Sequence, residues 1–215
     1  MDRLTLAVLI SGRGSNLQSL IDACADPNFP ARVALVISNE PGAKGLERAA
    51  AAGIANQVIS HRDYQSKESM DDALSQAIID SGADLVCLAG FMRILGRGFV
   101  EQWRDRLVNI HPSLLPAFPG LHAHEQALGA GVRITGCTVH FVREGVDSGP
   151  IIAQAAVPVH ADDTAGSLAD RVLTAEHQVY PLAVRLIAEG RVTVTGDTAR
   201  IDGGKAPETV LLNPA

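Results

Sequence analysis

The sequence predicts an α/β protein built on a mostly parallel sheet with helices on both faces. Three observations carry that prediction. Short runs rich in Val, Ile and Leu recur along the first two-thirds of the chain. Segments with apolar residues at helical spacing stand between them. The runs are apolar throughout and do not alternate with polar residues, as strands buried on both faces require.

The first run, Leu4–Ile10, reads as a buried strand, and a Gly-rich turn follows it. Leu17, Leu20 and Ile21 then share one face of a helix. Residues 33–38 give a second strand, the Ala-rich stretch 43–52 a second helix, and 54–60 a weaker third strand. Met70, Leu74, Ala77 and Ile78 align on one face of a helix over 66–80. Residues 84–89 and 106–110 are the fourth and fifth strands. Beyond Gly131 the pattern changes. Residues 133–142 and 151–157 are longer strands joined by a loop containing Gly and Asp, which predicts antiparallel additions in the C-terminal third. An amphipathic helix begins at Thr164 with Leu168, Val172, Ala175, Val179, Leu182 and Leu186 on one face. Pro181 is expected to kink or divide it. Residues 192–201 predict a small hairpin around Gly196-Asp197. Without a repeat or linker, a single domain over residues 1–202 is expected, with a flexible tail over 203–215.

Composition narrows the function. With 18 Lys+Arg against 24 Asp+Glu the formal net charge is −6, and no basic cluster offers a face to nucleic acid. The three cysteines, Cys24, Cys87 and Cys137, are odd in number and far apart, which fits a reducing compartment. The first ten residues are too soon interrupted by Gly12 and Arg13 to form a signal peptide. No apolar run approaches the ~20 residues that a membrane helix needs. The expectation is a soluble cytoplasmic protein with small-molecule substrates, no nucleic-acid or membrane partner, and a monomeric or weakly dimeric state.

Several stretches carry chemistry. Ser11-Gly12-Arg13-Gly14-Ser15-Asn16 follows the first strand and opens the first helix, where free N–H groups attract an anion. Ser15 and Asn16 add side-chain donors. The same loop reads equally as a tight turn with Ser15 as N-cap. A dinucleotide site would use Glu40, but the third glycine of that fingerprint is absent. In Leu107-Val108-Asn109-Ile110-His111-Pro112, alternation puts Asn109 and His111 on one strand face, and Pro112 ends the strand just beyond them. An amide donor beside an imidazole at a strand's carboxyl edge suits acyl-type transfer. Asp147, between two strands, is either a turn former or a carboxylate that reaches His111, with Glu144 as the rival. His122 and His124 have strand metal-pair spacing but begin a helical segment with no carboxylate to complete the set, so no metal is expected. Glu176-His177 fall on the polar side of the long helix, which reads as a solvated face. Phe99 and Trp103 read as core or as a packed turn.

These stretches occur in an order that resembles a known family. Leu88-Ala89-Gly90-Phe91-Met92-Arg93-Ile94-Leu95, Asn109-Ile110-His111-Pro112-Ser113-Leu114-Leu115-Pro116 and Gly120-Leu121-His122-Ala123-His124 come in sequence. Val139-His140-Phe141-Val142 and Asp147-Ser148-Gly149-Pro150 follow, and the Ser11–Asn16 loop opens the series. Together they look like the phosphoribosylglycinamide formyltransferases of purine synthesis, from the first strand to the long helix. The resemblance implies a Rossmann-like formyltransferase fold with a phosphate-binding N-terminal half and a folate-binding C-terminal half. It implies 10-formyltetrahydrofolate as co-substrate and no metal. Gly14, Ser15 and Asn16 would hold the phosphate of glycinamide ribonucleotide, and Glu176 its ribose hydroxyls. Met92, Arg93, Ile94 and Leu95 would line the folate pocket, which Asn109 also adjoins, with Lys67 at its outer end. Asn109, His111 and Asp147 would be the catalytic set. Arg13 departs from the small polar residue that the family commonly carries. The alternative in the same resemblance is a formyltetrahydrofolate deformylase, which transfers the group to water and normally carries an extra N-terminal domain; no room for one is expected before Leu4. Methionyl-tRNA formyltransferase would be longer, with a basic RNA surface. A non-enzymatic nucleotide-binding module would account for the glycine loop but not for Asn109 and His111.

Overall fold

The computed structural model describes residues 3–205, 208–209 and 211–213. Five strands run parallel: β1 (Leu4–Ile10), β2 (Ala31–Ser38), β3 (Ala55–Val58), β4 (Leu85–Leu88) and β5 (Leu107–His111). Strands β6 (Ile134–Phe141) and β7 (Ile151–Pro158) extend the sheet by antiparallel pairing. The order across these seven strands is β3-β2-β1-β4-β5-β6-β7. The chain therefore builds outward from β1 on one side and returns to build from β4 on the other. At such a switch point the loops leaving the carboxyl ends of adjacent strands diverge and open a crevice. Here those loops follow β1, β4 and β5.

Alternation along each strand sends side chains into two separate cores. Leu6, Val8 and Ile10 pack with Leu17 and Leu20 of α1 (Ser15–Ala25) and with Leu168, Val172 and Tyr180 of α6 (Ala165–Ala188). Ala7 and Leu9 face the other way, onto Met70, Leu74 and Ile78 of α3 (Lys67–Asp80). Each fully buried Leu or Ile of these layers contributes about 1.5–3 kcal/mol from area removed from water. Helix α2 (Lys44–Ala51) puts Ala49 into the first core, as α5 (Ala123–Gly129) does Ala127. A hairpin of β8 (Val192–Thr195) and β9 (Thr198–Ile201) forms a second, two-stranded sheet whose Val192, Val194 and Ile201 pack against the first core. In the described part of the tail, Asn213 Nδ2 donates to the carbonyls of Arg133 (2.6 Å) and Val159 (2.9 Å).

The expected strands and helices all form, with boundaries within a few residues, and four local readings change. First, residues 97–102 form a short helix, α4 (Arg97–Gln102), that the pattern did not announce. It seats Phe99 and Trp103 in the second core, where Trp103 Nε1 donates to Ser75 Oγ at 3.1 Å. Second, Pro181 does not divide α6, which runs unbroken from its capping box at Thr164 and Ser167. The proline removes one N–H, and the packing of both flanks keeps the axis together. Third, the buried face of α6 rotates after Val179 onto Tyr180, Ala183 and Val184, leaving Leu182 49% exposed. Glu176 belongs to that buried face and not to a solvated one. Fourth, the N-cap of α1 is Gly14, at φ 69°, so Ser15 is already inside the helix.

Candidate active site

The carboxyl end of β1 enters the glycine loop, and the loop's polarity is set by what holds its carbonyls. Gly12 O accepts from Gly45 N–H (3.1 Å) and Gly14 O from Gln18 N–H (2.9 Å). Arg13 O accepts from Arg48 Nε at 3.0 Å. Main-chain N–H groups from Gly12 to Asn16 meet no protein acceptor among the described residues, so the loop presents donors only. Gly14 is required twice over: its φ is 69°, and a Cβ there would lie 2.6 Å from Gly45 Cα. The loop forms one wall of a cleft of about 400 Å³, whose other walls include Met92, Pro112, His124, Asp170 and Glu176.

Glu176, 7% exposed, accepts a hydrogen bond of 2.6 Å from Asn16 Nδ2. Burial pushes its carboxyl above the usual carboxylate range, and the Asn16 bond partly offsets that. One N–H of the Asn16 amide goes to Glu176, which leaves the second uncommitted, and Asn16 Oδ1 has no partner.

Strand β5 ends at the switch-point edge with Asn109 and His111 on one face. His111 is buried with an acceptor on each ring nitrogen: Asp147 Oδ2 lies 3.2 Å from Nδ1, and Phe118 O lies 2.9 Å from Nε2. Asp147 Oδ2 also accepts from Gly120 N–H at 2.7 Å. Asp147 and Phe118 both adopt positive φ, 46° and 54°, and an L-residue held there costs about 1–2 kcal/mol. Asp147 is thus both a turn residue and the carboxylate beside His111. Glu144 faces outward to Arg97 at 3.8 Å.

Asn109 has a partner that sequence reasoning missed as a site residue. Antiparallel pairing of β5 with β6 sets His140 directly opposite Asn109. Asn109 Nδ2 lies 3.4 Å from His140 Nε2, while His140 Nδ1 lies 2.9 Å from Phe141 O. With Nδ1–H donating to that carbonyl, Nε2 accepts from the amide and fixes which way Asn109 points. Burial holds His140 below the usual imidazole range, in keeping with a neutral acceptor. The signal was a histidine in the first antiparallel strand, legible as a partner only once the register was known.

A second cleft, about 160 Å³, opens on the other side of β5. Asn109, His140 and Asp147 form its floor, with Phe91, Arg93, Ile94, Leu95, Val142 and Val146 among its walls. Met92 lines the first cleft instead, so residues 92–95 serve both. Met92 and Ile94 are 68% and 77% exposed, apolar side chains at a lip that a flat ring would cover. Lys67 lines a hollow that shares Arg93, Ile94 and Leu95 with this cleft.

The two histidines at metal-pair spacing diverge. His122 is exposed beside Glu125 (3.5 Å), whereas His124 turns into the first cleft. Among the described residues no group of three or more His, Cys, Asp or Glu could hold a metal ion. Burial raises all three thiols, Cys24 to about 11 and Cys87 and Cys137 to about 12, which leaves them poor nucleophiles. Among the described residues no helix is long and apolar enough to cross a membrane.

The doubly wound sheet opens two clefts about the end of β5, one lined by Ile110 and Pro112 and the other by Asn109, as an enzyme of the α/β class would. The chain belongs to the formyl transferase family, whose profile, described as Formyl transferase, matches residues 4–184. It is 47% identical over 204 residues to the phosphoribosylglycinamide formyltransferase of Escherichia coli, covering 95% of this chain and 96% of that one. It is 51% identical over 196 residues to the trifunctional purine biosynthetic protein adenosine-3 of Homo sapiens, covering 91% of this chain. That match spans only 19% of the longer human protein. Among solved structures, glycinamide ribonucleotide transformylase 1 from Symbiobacterium toebii superposes with a TM-score of 0.91 at 50% identity, covering 93% and 94% of the two chains. A formyltetrahydrofolate deformylase from Pseudomonas syringae shares the fold at a TM-score of 0.87 but only 26% identity, covering 93% of this chain and 66% of that one.

Proposed function

We propose that this enzyme transfers the formyl group of 10-formyltetrahydrofolate to the amine of glycinamide ribonucleotide, giving formylglycinamide ribonucleotide and tetrahydrofolate in purine synthesis. The observation that carries the reading is the pairing of clefts. One has a donor-only loop and a buried carboxylate suited to a phosphate and a ribose diol. The other has an apolar lip suited to a folate ring. They flank the same strand end. Identity above 45% to a glycinamide ribonucleotide enzyme along the whole chain supports the same substrates.

In this reading Gly14, Ser15 and Asn16 supply main-chain donors to the phosphate, and Glu176 accepts from the ribose. Arg93, Ile94 and Leu95 seat the folate, with Met92 at the boundary and Lys67 toward the glutamate end. When the amine attacks the formyl carbon, negative charge develops on the formyl oxygen. Asn109, turned by His140, has a second N–H free to meet that oxygen. His111, with Asp147 as counter-ion, places a positive charge beside it. Each such interaction is typically worth about 3–4 kcal/mol in the transition state. The amine proton then passes to the departing folate nitrogen.

The rival reading is hydrolysis of the same folate, the activity named for the Pseudomonas syringae neighbour. Consumption of 10-formyltetrahydrofolate measured with and without glycinamide ribonucleotide separates the two. Dependence on the ribonucleotide is expected; equal rates in water alone would make the enzyme a deformylase.

A further inference from the structure

We propose that Arg13 is the charged ligand of the substrate phosphate, its guanidinium closing over the glycine loop. The proposal rests on the ribonucleotide reading and adds to it a charged side chain.

Charge balance is the first argument. The ionisable side chains lining the cleft are Arg13, His124, Asp170 and Glu176. Burial holds His124 below the usual imidazole range and so favours its neutral form. Arg13 is then the permanent cation of a lining that otherwise offers two carboxyl groups. A phosphate monoester brings up to two negative charges, and main-chain N–H groups alone answer them with partial charges.

Geometry is the second. Arg48 fixes the backbone at position 13 through the carbonyl (Nε, 3.0 Å) and braces α1 through Gln18 Oε1 (Nη1, 3.1 Å). The Arg13 side chain, in contrast, makes no hydrogen bond or ion pair among the described residues, although it lines the cleft and is exposed. A fixed base with an uncommitted guanidinium suits a group that forks onto phosphate oxygens when ligand arrives. The third argument is that the cleft is built for a polar ligand. Asn16 is 8% exposed and lines it, yet Asn16 Oδ1 has no partner.

The test is calorimetric binding of glycinamide ribonucleotide and of its phosphate-free riboside to the full chain and to Arg13→Asn and Arg13→Lys, with melting temperatures as the folding control. Arg13→Asn should weaken ribonucleotide binding by about tenfold to a hundredfold, the usual range for a charge-assisted hydrogen bond. Riboside affinity should not change, and Arg13→Lys should recover part of the loss. In steady state the ribonucleotide KM should rise by the same factor, with kcat and the folate KM unmoved. Unaltered ribonucleotide binding by Arg13→Asn would overturn the proposal, and so would an equal loss toward the riboside. Ribonucleotide binding that needs Arg13 but gives no turnover would leave this ligand role standing and defeat the transfer reading instead.

Discussion

In the proposed transfer the chemistry turns on His111, whose ring nitrogens face the Phe118 carbonyl and the Asp147 carboxylate. Asp147→Asn keeps an oxygen for Gly120 N–H and removes the counter-charge. Turnover should fall by about a hundredfold or more, as on losing an electrostatic donor, while both substrates still bind and the melting temperature holds. Glu144→Gln is the control: its carboxylate sits at the surface with Arg97 and should matter little. If Glu144→Gln abolished turnover while Asp147→Asn stayed active, the carboxylate would be misassigned. Asn109, His111 and Asp147 were legible as candidates because strand alternation and a turn-forming Asp are local signals. The contact between His111 and Asp147 was legible only as one of two readings. His140 was not legible as the partner of Asn109, since 31 residues separate them and only the antiparallel register joins them.

At the scale of elements, the glycine loop is held against α2 and does not stand alone. Gly14 and Gly45 meet backbone to backbone, and a Cβ on Gly45 would fall 2.3 Å from Ile10 Cδ1 and 3.3 Å from Gly14 Cα. Gly45→Ala should therefore cost about 1–3 kcal/mol of stability through overpacking. It should also raise the ribonucleotide KM with little change in the folate KM. Chemical denaturation and steady-state kinetics check both, and a variant of unchanged stability and KM would mean that α2 does not set the loop. The structure puts the steric demand of Gly14 on the side of α2. Short α4 escaped because six residues give too little period to read. Glu176 looked solvated because a carboxylate is seldom buried, although its place, four residues after Val172 and three before Val179, lies on the buried stripe of α6.

Across the whole molecule, buried histidines couple stability to pH. Burial lowers the affinity of His124, His140 and His177 for protons below that of the unfolded chain. The unfolded state therefore binds more protons below about pH 6.5, and stability falls as pH drops through that region. Glu176, raised by burial, acts with the opposite sign in the carboxylate range. The melting temperature should drop between pH 7 and 5.5, and His140→Asn should drop less over the same step; equal drops would remove His140 from the account. The doubly wound order was legible because continuous apolar strands and intervening helices have few arrangements. That arrangement brings two clefts to one strand end, and the central claim is that a formyl group crosses between them. The most direct measurement follows a labelled formyl carbon on 10-formyltetrahydrofolate in the presence of glycinamide ribonucleotide. The account predicts label in formylglycinamide ribonucleotide, one equivalent for each tetrahydrofolate formed; label released as free formate would contradict it.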